Sequence, residues 1–234
     1  MDSSICKNCI VPVEFQRAVP AVTCLTQQLK PNTKFEANIG KLLCGKWVSG
    51  VTQSFFESTL HMLSVFEGWV AVSDWLDVHE YFYTAANNRT VCTSLLIAET
   101  GLCASHVEKV EVCQQEVRIQ GRPYDAQLTV TNEVLVSADE LPVTVIPSFV
   151  KIKKCKSFAV HNWTFTFAMV WSGLTRLCAE KQQESGDVCY EIKVELTDGG
   201  DYIKTRTASY VATSILMKVS AIFDSILPFM YIEK

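Results

Sequence analysis

The sequence predicts a mainly β domain of antiparallel strands with a few flanking helices. Segments that alternate polar and apolar residues, rich in β-branched and aromatic side chains, recur along the chain. Helical periodicity is confined to a few stretches, the clearest near the C-terminus. No repeat of about 20–50 residues and no low-complexity linker interrupts this pattern, which argues for one domain.

Val11 to Leu29 reads as an irregular start and a short helix interrupted at Pro20, and Pro31-Asn32 breaks the chain. Lys34 to Leu43 alternates as a strand with one charged face. Gly50-Val51-Thr52 opens a segment in which Phe56, Leu60, Leu63 and Val65-Phe66 share a helical face. Trp69 to Val72, Val78 to Thr84 and Val91 to Ile97 read as strands, followed by Val107 to Val112, Val117 to Ile119 and Ala126 to Thr131. Ser148 to Phe158 alternates sharply, and Trp163 to Trp171 is strand-like and almost free of charge. Val188 to Leu196 sets Glu191, Lys193 and Glu195 on one face against Ile192 and Val194. Asp198-Gly199-Gly200-Asp201 is expected to turn, with a short strand from Tyr202 to Thr207. Tyr210 to Leu227 carries the stripe Val211, Ile215, Val219, Ile222, Phe223 and Ile226 of a helix, and Pro228 ends it.

The 234 residues are 48% hydrophobic and 20% charged, an ordinary globular composition that excludes disordered and collagen-like chains. A net charge of −4 is not that of a protein coating nucleic acid non-specifically. The apolar stretches fall short of the ~20 residues of a spanning helix, and Met1-Asp2-Ser3-Ser4-Ile5 does not open as a signal peptide. The ten cysteines are therefore expected to be reduced, intracellular thiols, although Asn88-Arg89-Thr90 and Asn162-Trp163-Thr164 match the glycosylation triplet. Cys6-Lys7-Asn8-Cys9 is a lone CxxC, short of the four ligands of a structural zinc site. His61, His79, His106 and His161 show no metal-ligand spacing, and no phosphate-binding loop or nucleophile elbow occurs.

Three strands carry ionisable residues at period two. Such a face points to water in an open sheet and can line a polar tunnel in a closed barrel. Phe35-Glu36-Ala37-Asn38-Ile39-Gly40 resembles the E-x-E-x-R-x-G first strand of the metal-dependent mRNA-capping RNA 5′-triphosphatases, the triphosphate tunnel metalloenzymes. Gly50-Val51-Thr52 with Phe56 is similar to the family's following segment and helix, and His79-Glu80-Tyr81-Phe82-Tyr83 to its D-x-F-Y strand. Tyr124-Asp125-Ala126-Gln127, trailed by Glu133, is similar to Y-D-x-R. Val150 to Phe158 is similar to R-x-K-x-R-x-S, Trp163 to Phe167 to W-x-x-D-L, and Tyr190 to Leu196 to E-x-E-x-E. The ordered set spans about residues 33–227. It implies a closed, eight-stranded antiparallel tunnel barrel. In that family, glutamates of the first and last motif strands hold Mn²⁺ or Mg²⁺, and basic wall residues hold the RNA 5′-triphosphate whose γ-phosphate water removes.

The chain departs from this pattern at the chemistry. Lys34 stands where the leading glutamate is expected, Lys193 at the middle glutamate of the last strand, and Thr166 at the aspartate after the tryptophan. The wall arginines fall on Cys92, Gln127 and Cys155. Glu36, Glu133, Glu191, Glu195, Lys151 and Lys153 remain, with Lys109 as a further match, and Gly40, Gly50, Phe82, Tyr83, Tyr124, Ser157 and Trp163 keep the scaffold. Of the metal positions, Glu36 and Glu195 survive, whereas lysine offers no oxygen ligand. Cysteine and glutamine do not replace a bidentate guanidinium.

The resemblance thus implies a degenerate tunnel with no catalytic residue and no metal site, Mn or Mg entering only if the chain is an active triphosphatase. Lys34, Lys109, Lys151, Lys153, Lys193, Glu133 and Glu191 are the tunnel and phosphate-binding candidates, with Lys34 and Lys193 readable as counter-charges or as direct phosphate ligands. The expected role is a non-catalytic interaction subunit of an RNA-processing or transcription complex, like the barrel subunits of the Mediator head or the guide-RNA-binding pseudo-triphosphatases of RNA editing. An active capping triphosphatase and a passive binder of RNA 5′-triphosphate ends are the alternatives. The expected partners are proteins of a larger complex, then RNA 5′ ends, and no membrane. The expected compartment is intracellular, the nucleus first, with mitochondrion and cytoplasm open. The domain plan is an extension over 1–32, the barrel with its closing helix over 33–227, and a tail over 228–234 whose Leu227 to Ile232 stretch is apolar enough for a partner contact.

Overall fold

A computed structural model describes residues 11–31, 33–84, 90–98, 101–137, 146–197 and 199–224. Cys6 and Cys9, Asn88 and Arg89, Asp198, and the chain from residue 225, with Pro228 and the apolar tail, lie outside the described residues.

Two short helices open the chain, α1 (Val13–Gln16) and α2 (Val19–Thr26). Pro20 starts α2 rather than interrupting it: it sits in the first turn, where its missing N–H has no helical acceptor to lose. Then come β1 (Thr33–Leu43), β2 (Lys46–Ser49), α3 (Gln53–Ser64), β3 (Ala71–Val72), β4 (Leu76–Thr84), β5 (Thr90–Ala98), β6 (Gly101–Val117) and β7 (Asp125–Leu135). The second half holds β8 (Phe149–Val160), β9 (Trp163–Gly173), α4 (Arg176–Ser185), β10 (Cys189–Leu196), α5 (Gly199–Thr205) and α6 (Ala208–Asp224).

Eight strands run in the order β10-β9-β8-β4-β5-β6-β7-β1, and β1 pairs with β10, so the sheet closes into an antiparallel barrel. β2 extends β1 as a hairpin and β3 adds to β8. The hairpin turns through Cys44 and Gly45, both at positive φ, the two-residue loop that suits right-twisted strands. Closure removes sheet edges and lets the two faces of the wall carry opposite chemistry. Phe35, Ala37 and Ile39 of β1, Phe165 and Phe167 of β9, and Ile192, Val194 and Leu196 of β10 face outward and are buried. Over them pack Phe15 and Leu25, Phe56 and Leu63 of α3, and Val211, Ile215, Val219 and Ile222 of α6. The main core therefore lies outside the barrel, between wall and helices. A smaller core under α4 joins Val150, Ile152, Trp171 and Ala179. Arg122, between β6 and β7, pairs with Glu14 of α1 and Asp224 of α6, tying both ends of the helical layer together. Among the described residues no helix is long and apolar enough to cross a membrane.

Several expectations are corrected. Tyr202 to Thr207 is no strand: α5 runs through Thr205, because Tyr202 turns in to the edge of the buried Trp163 ring and packing overrides its β preference. The expected turn at Gly199-Gly200 is the start of that helix. Val107 to Val112 and Val117 to Ile119 are not separate strands, since β6 carries through a bulge between Glu111 and Cys113 and ends at Val117. Of Trp69 to Val72, Ala71 and Val72 are strand; Trp69 instead donates its indole N–H to the Leu63 carbonyl at 2.7 Å. Helix α4 was not expected from the sequence; Thr175, whose hydroxyl accepts from the Cys178 N–H, and Gly186 in the left-handed C-cap bound it.

Gly40 is where the hairpin folds tightest on itself. A Cβ there would lie 2.4 Å from the Val48 carbonyl oxygen and 2.6 Å from the Trp47 ring. The oxygen is backbone and cannot swing aside. Gly40→Ala is expected to cost about 1–3 kcal/mol, read as a lower urea midpoint with an unchanged slope.

Candidate functional site

Period two sends every second residue of each wall strand into the barrel. On β1 these are Lys34, Glu36 and Asn38; on β4 Val78, Glu80 and Phe82; on β8 Lys151, Lys153 and Cys155; on β10 Glu191 and Lys193. Lys109 of β6, Gln127 of β7 and Thr166 of β9 join them around a cavity of about 410 Å³. Glu133 and Glu195 reach the same lysines through ion pairs. Every site residue expected from the sequence is placed in or against this interior.

The charges form a six-membered network at the closing seam and two separate ion pairs along the wall. At the closing seam, Glu36 of β1 lies directly opposite Glu195 of β10. Like charges in that register repel. Lys34 answers both, 3.8 Å from Glu36 and 3.1 Å from Glu195, and reaches Glu133 at 3.9 Å. Lys193 bridges the same two carboxylates, at 3.4 Å to Glu36 and 2.8 Å to Glu195. Around the wall, Lys109 pairs with Glu133 at 3.4 Å, Lys151 with Glu191 at 3.3 Å and Lys153 with Glu80 at 2.6 Å. Five lysines thus face five glutamates. Lys34 and Lys193 stand as counter-charges between the seam carboxylates.

Glu80 is the member that sequence reasoning missed. It falls at the aspartate of the D-x-F-Y match and alternates with Val78 and Phe82, a signal that marked its inward face. Asn38 was also missed; its amide donates to Glu36 at 3.1 Å.

Ionisation follows from this packing. Burial alone would raise the Glu36 carboxyl, but Lys193, Lys34 and the Asn38 amide outweigh it and bring it down to about 2. The same contest, won by Lys153, lowers Glu80; won by Lys193 and Lys34, it lowers Glu195. Burial would lower Lys193, yet Glu36 and Glu195 push it well above the ordinary lysine range. Lys109 rises likewise through Glu133. Burial lifts the Cys155 thiol to about 11, and burial with the Glu80 charge raises Cys92.

This donor set does not fit a divalent cation. Glu36 and Glu195, the carboxylates the resemblance assigns to metal, each bond two ammonium groups, and lysine supplies no oxygen. Among the described residues no three His, Cys, Asp or Glu side chains converge as a metal cage. Nor does a histidine line the cavity.

No protein-family model and no curated protein matches the sequence. Solved structures do. The chain is similar to the Pct1 RNA triphosphatase of S. pombe, at a TM-score of 0.66 and 13% identity over 93% of this chain and 95% of that one. The same enzyme in complex with the Spt5 CTD matches with the same score. The Mimivirus capping-enzyme triphosphatase matches at 0.55 and 14% identity, over 92% of this chain and 98% of that one. At such identities the likeness shows a shared fold, the closed tunnel barrel of RNA triphosphatases.

Because Glu36 ionises at about 2 in the fold and near 4.5 when unfolded, its share of stability is fully present above pH 4.5 and is lost as pH falls toward 2. That share is on the order of 3 kcal/mol. Glu36→Gln removes it, so the Tm gap between parent and variant should be widest near neutrality. It should close as the buffer is taken from pH 4.5 down to 2. A gap that stays constant over this range would place Glu36 outside the network.

Proposed function

We propose that this chain is a non-catalytic relative of the RNA triphosphatases, acting as an interaction subunit of an RNA-processing or transcription complex. The observation that carries the reading is the seam itself. Two lysine ammonium groups occupy the ground between Glu36 and Glu195 and satisfy both carboxylates. A hard cation would need those oxygens, and an ammonium some 4 Å away would oppose it by several kcal/mol at an effective dielectric of about 20. The phosphate side is weakened in parallel, since Gln127 and Cys155 line the cavity at wall-arginine positions and carry no guanidinium. A role through partners is supported by the outer wall. Val110 of β6 and Val134 of β7 are diagonal neighbours on the outward face of paired strands and are 45% and 48% exposed. That the tunnel fold can carry a protein partner is seen in the S. pombe enzyme bound to the Spt5 CTD. The nucleus is the compartment this reading favours.

A second reading, passive capture of RNA 5′-triphosphate ends, rests on Lys109, Lys151 and Lys153, which line the cavity. Preference for triphosphorylated over monophosphorylated RNA in a filter-binding assay would favour it. Pull-down from native extract tests the interaction reading, which expects a defined set of RNA-processing or transcription proteins.

With Mn²⁺ or Mg²⁺ the purified chain is expected to release no γ-phosphate from triphosphorylated RNA or nucleoside triphosphate above a no-protein control. Metal-stimulated release abolished by Glu36→Ala would establish the active-enzyme alternative instead.

Restoring carboxylates tests the seam from the other side. Lys34→Glu with Lys193→Glu should destabilise the protein in chelator, each close like-charged pair costing roughly 1 kcal/mol or more. Mn²⁺ should return stability, by about 2.7 kcal/mol at a hundredfold excess over Kd. Turnover should stay poor without the arginine forks. Equal Mn²⁺ shifts in the melts of parent and double variant would remove these positions from any metal site.

A further inference from the structure

A second convergence of reactive groups lies outside the tunnel. Cys24 is on α2 and exposed; Cys113 is on β6 and half-buried; both are free thiols. They line one groove of about 330 Å³, together with Leu25, Gln28 and Val112. The bulge in β6 is what brings them together. Before it, Lys109 lies opposite Glu133 and Glu111 opposite Thr131. Both are on the inward register. Strict alternation would send Cys113 inward as well. The extra residue shifts the register, so Cys113 lies opposite Val130, which is fully buried in the outer core. Directly paired residues share a face, and Cys113 accordingly packs against that core, on the side where α2 lies across β6.

We propose that Cys24 and Cys113 are a redox-responsive pair whose disulfide latches α2 to the barrel wall. With glutathione disulfide as oxidant, the Cys24 thiolate attacks one sulfur, forming a mixed disulfide and expelling a glutathione thiolate. The Cys113 thiolate then attacks Cys24 Sγ and expels the second glutathione. The protons lost by the two cysteines are taken up by the two glutathione thiolates, and two electrons pass from the pair to the oxidant. The roles follow from exposure: Cys24 is the thiol that solvent meets first. Burial, with Glu111 nearby, holds the Cys113 thiol up, so only its small thiolate fraction attacks, and the nearness of the mixed disulfide makes that step effectively intramolecular. The bond would close a loop from residue 24 to residue 113, a long-range constraint on the unfolded chain. Since α2 also packs on α6, the latch would fix the helical layer as a whole.

The 234-residue chain is to be treated with glutathione disulfide, digested without reductant and analysed by mass spectrometry. A peptide linking Cys24 to Cys113 is expected, together with a Tm rise of roughly 5–10 °C that dithiothreitol reverses. Cys24→Ser and Cys113→Ser should each abolish both effects, while Cys178→Ser, on α4, should keep them. Phenylarsine oxide, which needs two neighbouring thiols, reads proximity without oxidation once Cys6 and Cys9 are both changed to serine, since that CxxC would hold the reagent by itself. In this background it should be retained, and its retention should be lost when Cys24→Ser or Cys113→Ser is added. If Cys24 is found linked to Cys6, Cys9 or another cysteine, or if no linked peptide forms, the proposal is overturned.

Discussion

Closing this barrel forces two carboxylates together. β1 and β10 pair along the seam, and their register sets Glu36 directly against Glu195. Neighbouring carboxylates within a few ångströms and away from bulk water repel strongly, so the seam closes with a cation between them. Lys34 and Lys193 supply that charge from the same two strands, two residues to either side. They are bonded into the chain they neutralise, so closure and charge balance arrive in one folding event.

The polar interior determines where the apolar residues go. A wall lined inside by lysine and glutamate cannot supply a hydrophobic core there. Phe35, Phe165, Phe167 and Val194 on the outer face take that part, and α3 and α6 are recruited to cover them. The division holds because each wall strand alternates cleanly. Where alternation breaks, at the β6 bulge, a side chain changes sides. Trp163 shows the same logic at a boundary. It is fully buried on the outer wall, and the Lys218 ammonium of α6 sits 4.7 Å from its ring, a cation–π contact in which the lysine stem adds to the core.

What was legible in the sequence is what depends on short range. That Lys151 and Lys153 share a face, as do Glu191 and Lys193, followed from period two on strands whose type was plain; that the face turns inward came with the resemblance. Closure was not in the periodicity, because pairing β1 with β10 joins segments far apart in the chain; the ordered motifs carried that part. Partner identity was out of reach too. Glu80 meets Lys153 because β4 and β8 are neighbours in the barrel, although a long stretch of chain separates them. The bulge in β6 left no local mark, and Tyr202 looked like a strand residue until Trp163 gave it a reason to be helical. The β1–β2 hairpin escaped notice because its turn uses Cys44 before Gly45, where asparagine or aspartate would have announced it.

The ionisations of the interior share one direction. Acid–base catalysis needs a group that changes state near the working pH, and active sites commonly shift groups toward neutrality for that reason. Here every shift resolved in the tunnel runs the other way. Glu36, Glu80 and Glu195 go down, Glu36 to about 2; Lys109 and Lys193 go up. The thiols of Cys92 and Cys155 rise as well, Cys155 to about 11, and so remain neutral. None of these groups takes up or gives up a proton near pH 7. Two tethered ammonium ions bring the same total charge as one divalent cation, but with N–H donors in place of exchangeable water. They can hold the wall together and can activate nothing by coordination. Each ion in these pairs strengthens the charged state of its neighbour, so the interior keeps its ionisation across the neutral range.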